Sequence, residues 1–172
     1  MTARLIGQPA PALDVSRWFN ADGPVLLENL RGQVVVIEAF QMLCPGCVAH
    51  GLPQAQRIQA HFPAMSVQVL GLHTVFEHHA AMLPVSLEAF LHEYRITFPV
   101  GVDTAGTGDL PKTMETYGLR GTPSLLLIDR NGHLRAAHFG QVSDLQIGAE
   151  IAMLLSELAG CTEDGCPVPA TG

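Results

Sequence analysis

Seven consecutive residues, Val34-Val35-Val36-Ile37-Glu38-Ala39-Phe40, form a run with β-branched or aromatic side chains at five positions. A continuous run of this kind, bounded by a turn, fits a strand buried on both faces rather than one. The run leads directly into Cys44-Pro45-Gly46-Cys47. After it, Val48 to Phe62 has helical spacing, with Leu52, Ala55, Ile58 and Phe62 on one side, and Pro53 predicts a kink. A strand that must be covered above and below, followed at once by a helix, demands a layered α/β chain.

The rest of the chain agrees. The first thirty residues read as extended structure punctuated by Pro9, Pro11 and Asp22-Gly23-Pro24, with Val25 to Leu30 as a short strand. Val67 to Val75 is a second buried strand, and the polar, His-containing segment from Phe76 to Val85 reads as a loop or insertion. Ser86 is expected to cap a helix with Glu88 in its first turn. Phe98 to Val102 is a short strand and Asp109 to Tyr117 a short helix. Ser124 to Asp129 and Leu134 to Phe139 flank Arg130-Asn131-Gly132-His133, a strong hairpin signal. Ser143 to Leu158 is an amphipathic terminal helix. Strands alternating with helices imply a parallel core sheet, and the hairpin adds antiparallel edge strands, so the expected sheet is mixed.

Composition narrows the function classes. The 172 residues are 48% hydrophobic and 15% charged, which excludes a disordered chain. A net charge of −7 with nine Lys plus Arg argues against nucleic acid as a partner. No apolar run approaches the ~18–20 residues that span a bilayer, so no membrane association is expected. Met1 to Gly7 lacks the apolar core of a signal peptide, and the expected location is cytoplasmic. In such a reducing compartment four cysteines are more often catalytic or metal-binding than structural.

The position of the Cys44/Cys47 pair supplies its chemistry. A helix start offers unpaired N–H groups and a partial positive charge, and both favour a thiolate at the first cysteine. Two intervening residues let the second sulfur reach the first within one turn. Cys44 can then attack a disulfide and Cys47 can resolve the mixed disulfide. A C-x-x-C pair alone also suits half a zinc site; following a βαβ pattern, the redox reading dominates.

With these features the sequence resembles the thioredoxin superfamily, most closely the TlpA/ResA-like thiol–disulfide oxidoreductases near the redoxin (AhpC/TSA) border. Three features carry the resemblance: the buried strand before Cys44-Pro45-Gly46-Cys47, the Gly121-Thr122-Pro123 segment before the strand at Ser124, and Glu38, six residues before Cys44. The resemblance implies a thioredoxin-like fold over residues 1–160, with an N-terminal extension, an insertion before the second half and a Cys-containing tail at 161–172. It implies a cis-proline loop at Pro123 facing the dithiol, with Thr122, Pro123, Pro45 and Gly46 forming the substrate wall. It also implies a buried acid at Glu38 whose pKa is raised by desolvation and which passes a proton to or from Cys47. No cofactor and no metal are implied. The implied partners are a disulfide-containing protein or small molecule and a recycling reductase or thiol, in a role in cell redox homeostasis and antioxidant defence. Leu43 stands where the family usually has Trp, Pro45-Gly46 reverses the common order, and Gln41 and Met42 are expected on the docking rim.

Two other functions stay open. A peroxiredoxin-type peroxidase would use Cys47 as the peroxidatic residue, yet Cys44 and Phe40 stand where that motif has Thr and Pro. A zinc-binding, non-catalytic module would join Cys44 and Cys47 to Cys161 and Cys166. The eight histidines are scattered and read mostly as surface residues; His50 lies three residues after Cys47.

Overall fold

The computed structural model describes residues 4–157. Cys161, Cys166 and the tail reading lie outside the described residues. Among the described residues six strands make one mixed sheet in the order β1-β4-β3-β2-β5-β6. They are β1 (Val15–Phe19), β2 (Val34–Phe40), β3 (Val67–His73), β4 (Val100–Asp103), β5 (Ser124–Ile128) and β6 (Leu134–Phe139). β2 pairs parallel with β3, and β3 with β4. β5 and β6 close antiparallel on one side and β1 pairs antiparallel with β4 at the other edge.

Among the described residues four α-helices flank this sheet: α1 (Leu52–His61), α2 (Pro84–Glu93), α3 (Lys112–Tyr117) and α4 (Asp144–Ser156). Every residue of β2 is buried, because alternate side chains enter two different cores. Val34, Val36 and Phe40 pack with Leu52, Ala55 and Ile58 of α1, Leu87 and Leu91 of α2, and Ile147 and Ile151 of α4. Val35, Ile37 and Ala39 pack on the other side with Met114 and Tyr117 of α3 and with Leu27. Among the described residues no helix is long and apolar enough to cross a membrane.

Several local expectations are corrected. Val25 to Leu30 is not a strand: Leu27–Leu30 is a 3-10 turn whose Leu27 plugs the second core, and the N-terminal strand is β1. The extension ahead of it still pairs: Gly7 N–H donates to Leu134 O, Leu134 N–H to Gln8 O, and Tyr117 Oη to Pro11 O at 2.6 Å. Ser86 does not cap α2; the helix begins at Pro84, whose fixed φ suits a first turn that needs no N–H there. Ser143 does cap α4, accepting from Gln146 N–H at 3.2 Å. In the hairpin, Gly132 holds φ +82°, a left-handed conformation that disfavours side chains, while Asp129 Oδ1 accepts from Asn131 and His133 N–H.

The expected kink at Pro53 takes a specific form. Residues Cys47–Gly51 form a π-helical turn, and Leu52 N–H bonds Cys47 O, five residues back. Pro53 lacks the N–H an α-helix would need, and the extra residue in the turn relieves the clash of its ring with the preceding carbonyls.

Candidate active site

The dithiol loop lies where β2 ends, at the carboxyl edge of the parallel strands. Cys44 is half-buried and Cys47 fully buried, and both thiols are free. Cys47 N–H donates to Cys44 Sγ at 3.3 Å, and the Cys44 thiol donates to Thr122 O at 3.5 Å. Burial, reinforced by the hydrogen bond to Cys44, pushes the Cys47 thiol well above its ordinary value. The two sulfurs therefore differ: one reaches the surface and the other is held protonated beneath it.

Pro123 faces the pair across a cis Thr122–Pro123 peptide bond. Its ring lies so close to Gly46 that a Cβ there would stand 3.2 Å from Pro123 Cδ. Gly140 N–H donates to Pro123 O at 2.9 Å, which ties the proline loop to the segment after β6. Pro45 is exposed and Gly46 and Thr122 are half-buried, so the surface beside Cys44 is open to solvent.

Glu38 sits under this loop, 1% exposed, on the same side of β2 as Phe40. Its Oε1 has no hydrogen-bond partner among the described residues. Burial, with the Cys44 sulfur nearby, raises its carboxyl well above the usual carboxylate range. Gly51 makes room for it: a Cβ at Gly51 would collide with Glu38 Oε1 and stand 3.0 Å from Pro123 Cβ. A cavity of about 300 Å³ opens from Glu38 between α1 and the 140–144 segment, lined also by His50, Gln54, Arg57 and Pro123.

The structure thus brings together Cys44, Cys47, Glu38, Pro45, Gly46, Thr122 and Pro123. It does not place Gln41 and Met42 on a docking rim. Both are buried, and Gln41 ties the insertion to the dithiol loop, its Oε1 accepting from Phe76 N–H at 3.3 Å and its Nε2 donating to Glu77 at 3.3 Å. Leu43 alone of the three is exposed. Sequence reasoning passed over Gly51, and the reading of the histidines as mostly surface residues fails at His73. His73, at the end of β3 against the Phe40 ring, is 1% exposed, and both ring nitrogens lack partners among the described residues. Its place at the end of a predicted buried strand was the available signal. Among the described residues no three His, Cys, Asp or Glu side chains group to hold a metal ion.

A six-stranded mixed sheet, paired thiols at the start of a helix and a cis-proline loop facing them are the marks of thioredoxin-like thiol–disulfide oxidoreductases. Comparison with known proteins agrees. The chain belongs to the AhpC/TSA family, which it matches over residues 6–137. It is 65% identical to a thioredoxin-like superfamily protein of known crystal structure, covering 88% of this chain and 98% of that one with a TM-score of 0.87. It is 52% identical to a thiol–disulfide isomerase from Corynebacterium glutamicum, covering 87% and 98% of the two chains with a TM-score of 0.83. Among curated proteins it is 20% identical over 121 residues to the thiol–disulfide oxidoreductase ResA of Halalkalibacterium halodurans. That match takes in 70% of this chain and 62% of the length of that relative.

Proposed function

We propose that this chain exchanges its Cys44/Cys47 dithiol with disulfides of proteins or small molecules, Cys44 attacking and Cys47 resolving. The observation that carries this reading is the inequality of the two sulfurs: Cys44 reaches solvent and accepts an N–H, while Cys47 is 0% exposed. In the first step the Cys44 thiolate attacks one substrate sulfur, forming a mixed disulfide and expelling the other sulfur as a thiolate. In the second, Glu38, once it has released its own proton through the adjoining cavity, takes the Cys47 proton as a carboxylate. The Cys47 thiolate then attacks Cys44 Sγ and expels the second substrate thiolate. Two electrons pass from the dithiol to the substrate, and Cys44–Cys47 becomes a disulfide. A reductase or small thiol returns the electrons, and the sequence run backwards oxidises a substrate dithiol. No cofactor enters any step.

Glu38 suits the proton's role because its raised carboxyl pKa narrows the gap to a thiol. The cavity beside it gives the proton a way out that avoids the sulfurs. Thr122 and Pro123 form the wall against which a substrate segment lies, with Pro45 and Gly46 opposite. We assign the protein to a reducing compartment, the cytoplasm, where a recycling reductant is at hand. A peroxidase reading would make buried Cys47 the first nucleophile, and its raised pKa weighs against that.

The test is a pair of variants. Cys44→Ser abolishes disulfide reduction, whereas Cys47→Ser accumulates a mixed disulfide at Cys44 that mass spectrometry locates. Trapping by the Cys44 variant and none by the Cys47 variant would reverse the roles.

A further inference from the structure

Arg120 stands two residues before Thr122, whose carbonyl lies 3.5 Å from Cys44 Sγ. Two peptide steps keep their Cα atoms within about 8 Å, so Arg120 is a close chain neighbour of the proline loop that faces the dithiol. It is exposed, and among the described residues no carboxylate lies within ion-pair distance of it. Arg17, Arg57, Lys112 and Arg135 are each paired with a carboxylate, whereas Arg31, Arg95 and Arg130 share with Arg120 the lack of such a pair among the described residues.

Its position is built rather than loose. The guanidinium carbon lies 5.0 Å from the centre of the Phe139 ring, within cation–π range. Phe139 in turn rests on Gly121, where a Cβ would stand 3.0 Å from its Cε2. Half of Phe139 remains exposed. Holding a long side chain on a ring face reduces the entropy lost when its N–H groups bind something else. The surrounding charge sharpens the effect: the chain carries −7, so an anion meets general repulsion and one local attraction. Glu77 is hydrogen-bonded to Gln41 of the dithiol loop, where its charge repels an anion, and Glu38 lies buried beneath the loop.

Building on the thiol–disulfide reading above, we propose that Arg120, held on Phe139, selects disulfides that carry a carboxylate close to the bond under attack. The guanidinium pairs with that carboxylate while Cys44 attacks the sulfur, and the electron transfer itself is the one already described. Phe139 acts as a positioning residue through Arg120.

The experiment compares two chromogenic disulfides with the reduced full-length chain: the dianion 5,5′-dithiobis(2-nitrobenzoate) and the uncharged 4,4′-dithiodipyridine. Second-order rate constants are read from the released thiol at low and high salt. Arg120→Gln is expected to slow the dianion about three- to tenfold and leave the uncharged disulfide within about twofold. Arg120→Glu slows the dianion further, and high salt erases the differences. Phe139→Leu gives a smaller loss confined to the dianion. Equal slowing of both disulfides by Arg120→Gln, or slowing of neither, overturns the proposal. A wild-type chain no faster with either disulfide than Cys44→Ser overturns instead the thiol–disulfide reading beneath it.

Discussion

Replacing His73 by Leu should make the protein more stable, and increasingly so as the solution is acidified. The ring is 1% exposed, with no partner for either nitrogen among the described residues. Burial depresses its pKa from 6.5 to about 4. The sign follows from that depression. Between pH 6.5 and 4 the unfolded chain binds a proton at this residue and the folded one does not, so stability falls as pH drops through that window. From these two values the loss at pH 5 is about 2 kcal/mol, and below pH 4 it approaches ~3 kcal/mol. At pH 8 both states are neutral and this contribution vanishes. The variant lacks the titrating group, so its advantage over the parent should grow by about 2 kcal/mol between pH 8 and pH 5. Relieving two unpaired ring nitrogens should add about 1 kcal/mol or more at every pH. Glu38 acts the other way: its carboxyl is raised, so the native state holds that proton and stability falls as pH rises above the ordinary carboxylate value. Both proteins contain Glu38, and the comparison cancels it. Urea unfolding of parent and variant at the two pH values measures the difference. A stability gap that is the same at pH 8 and pH 5 would refute the reasoning, since a truly buried, unpartnered imidazole must resist charging.

Two further substitutions probe the packing that positions the site. Gly51→Ala would drive a methyl into the Glu38 carboxylate and against Pro123; a loss of about 1–3 kcal/mol in denaturant unfolding is expected, with slower dithiol exchange. Asp103 is buried at the end of β4 and accepts from Thr74 Oγ1 and from Thr113 and Met114 N–H, capping α3 where Pro111 has no side chain able to do so. Asp103→Asn turns one of those oxygens into a donor facing a donor, and thermal or denaturant unfolding should show a loss of about 3 kcal/mol.

The layered fold was legible because its evidence is local. The Val34–Phe40 run, the Asn131-Gly132 turn and the amphipathic spacing from Ser143 to Leu158 each carry their own conformational signal, and β2, the hairpin and α4 form where they were expected. The dithiol and Glu38 were legible for a related reason: a carboxylate within an apolar strand and two thiols at a strand–helix junction are conspicuous against their surroundings. What the chain conceals depends on distant partners. Leu27 looks like part of a strand until the second core claims it as a plug. Gln41 looks like a surface residue until Phe76 and Glu77, more than thirty positions later, supply its hydrogen bonds. Gly51 carries no signal until Glu38 and Pro123 close on it from two other elements. The turn at Cys47–Gly51 is an intermediate case, since Pro53 announced a disturbance without specifying the π-helical turn that absorbs it.

The central claim is that Cys44 and Cys47 form one reversible two-electron couple. Equilibrating the protein in graded dithiothreitol buffers, alkylating the free thiols and mapping the linked peptides by mass spectrometry tests it directly. The account predicts a single transition in which Cys44 and Cys47 lose alkylation together and appear as one disulfide-linked pair. Its slope should be that of a two-electron process, with a tenfold change in the equilibrium for about every 30 mV. Cysteines that oxidise independently, or that never form a bond with each other at any potential, would contradict it.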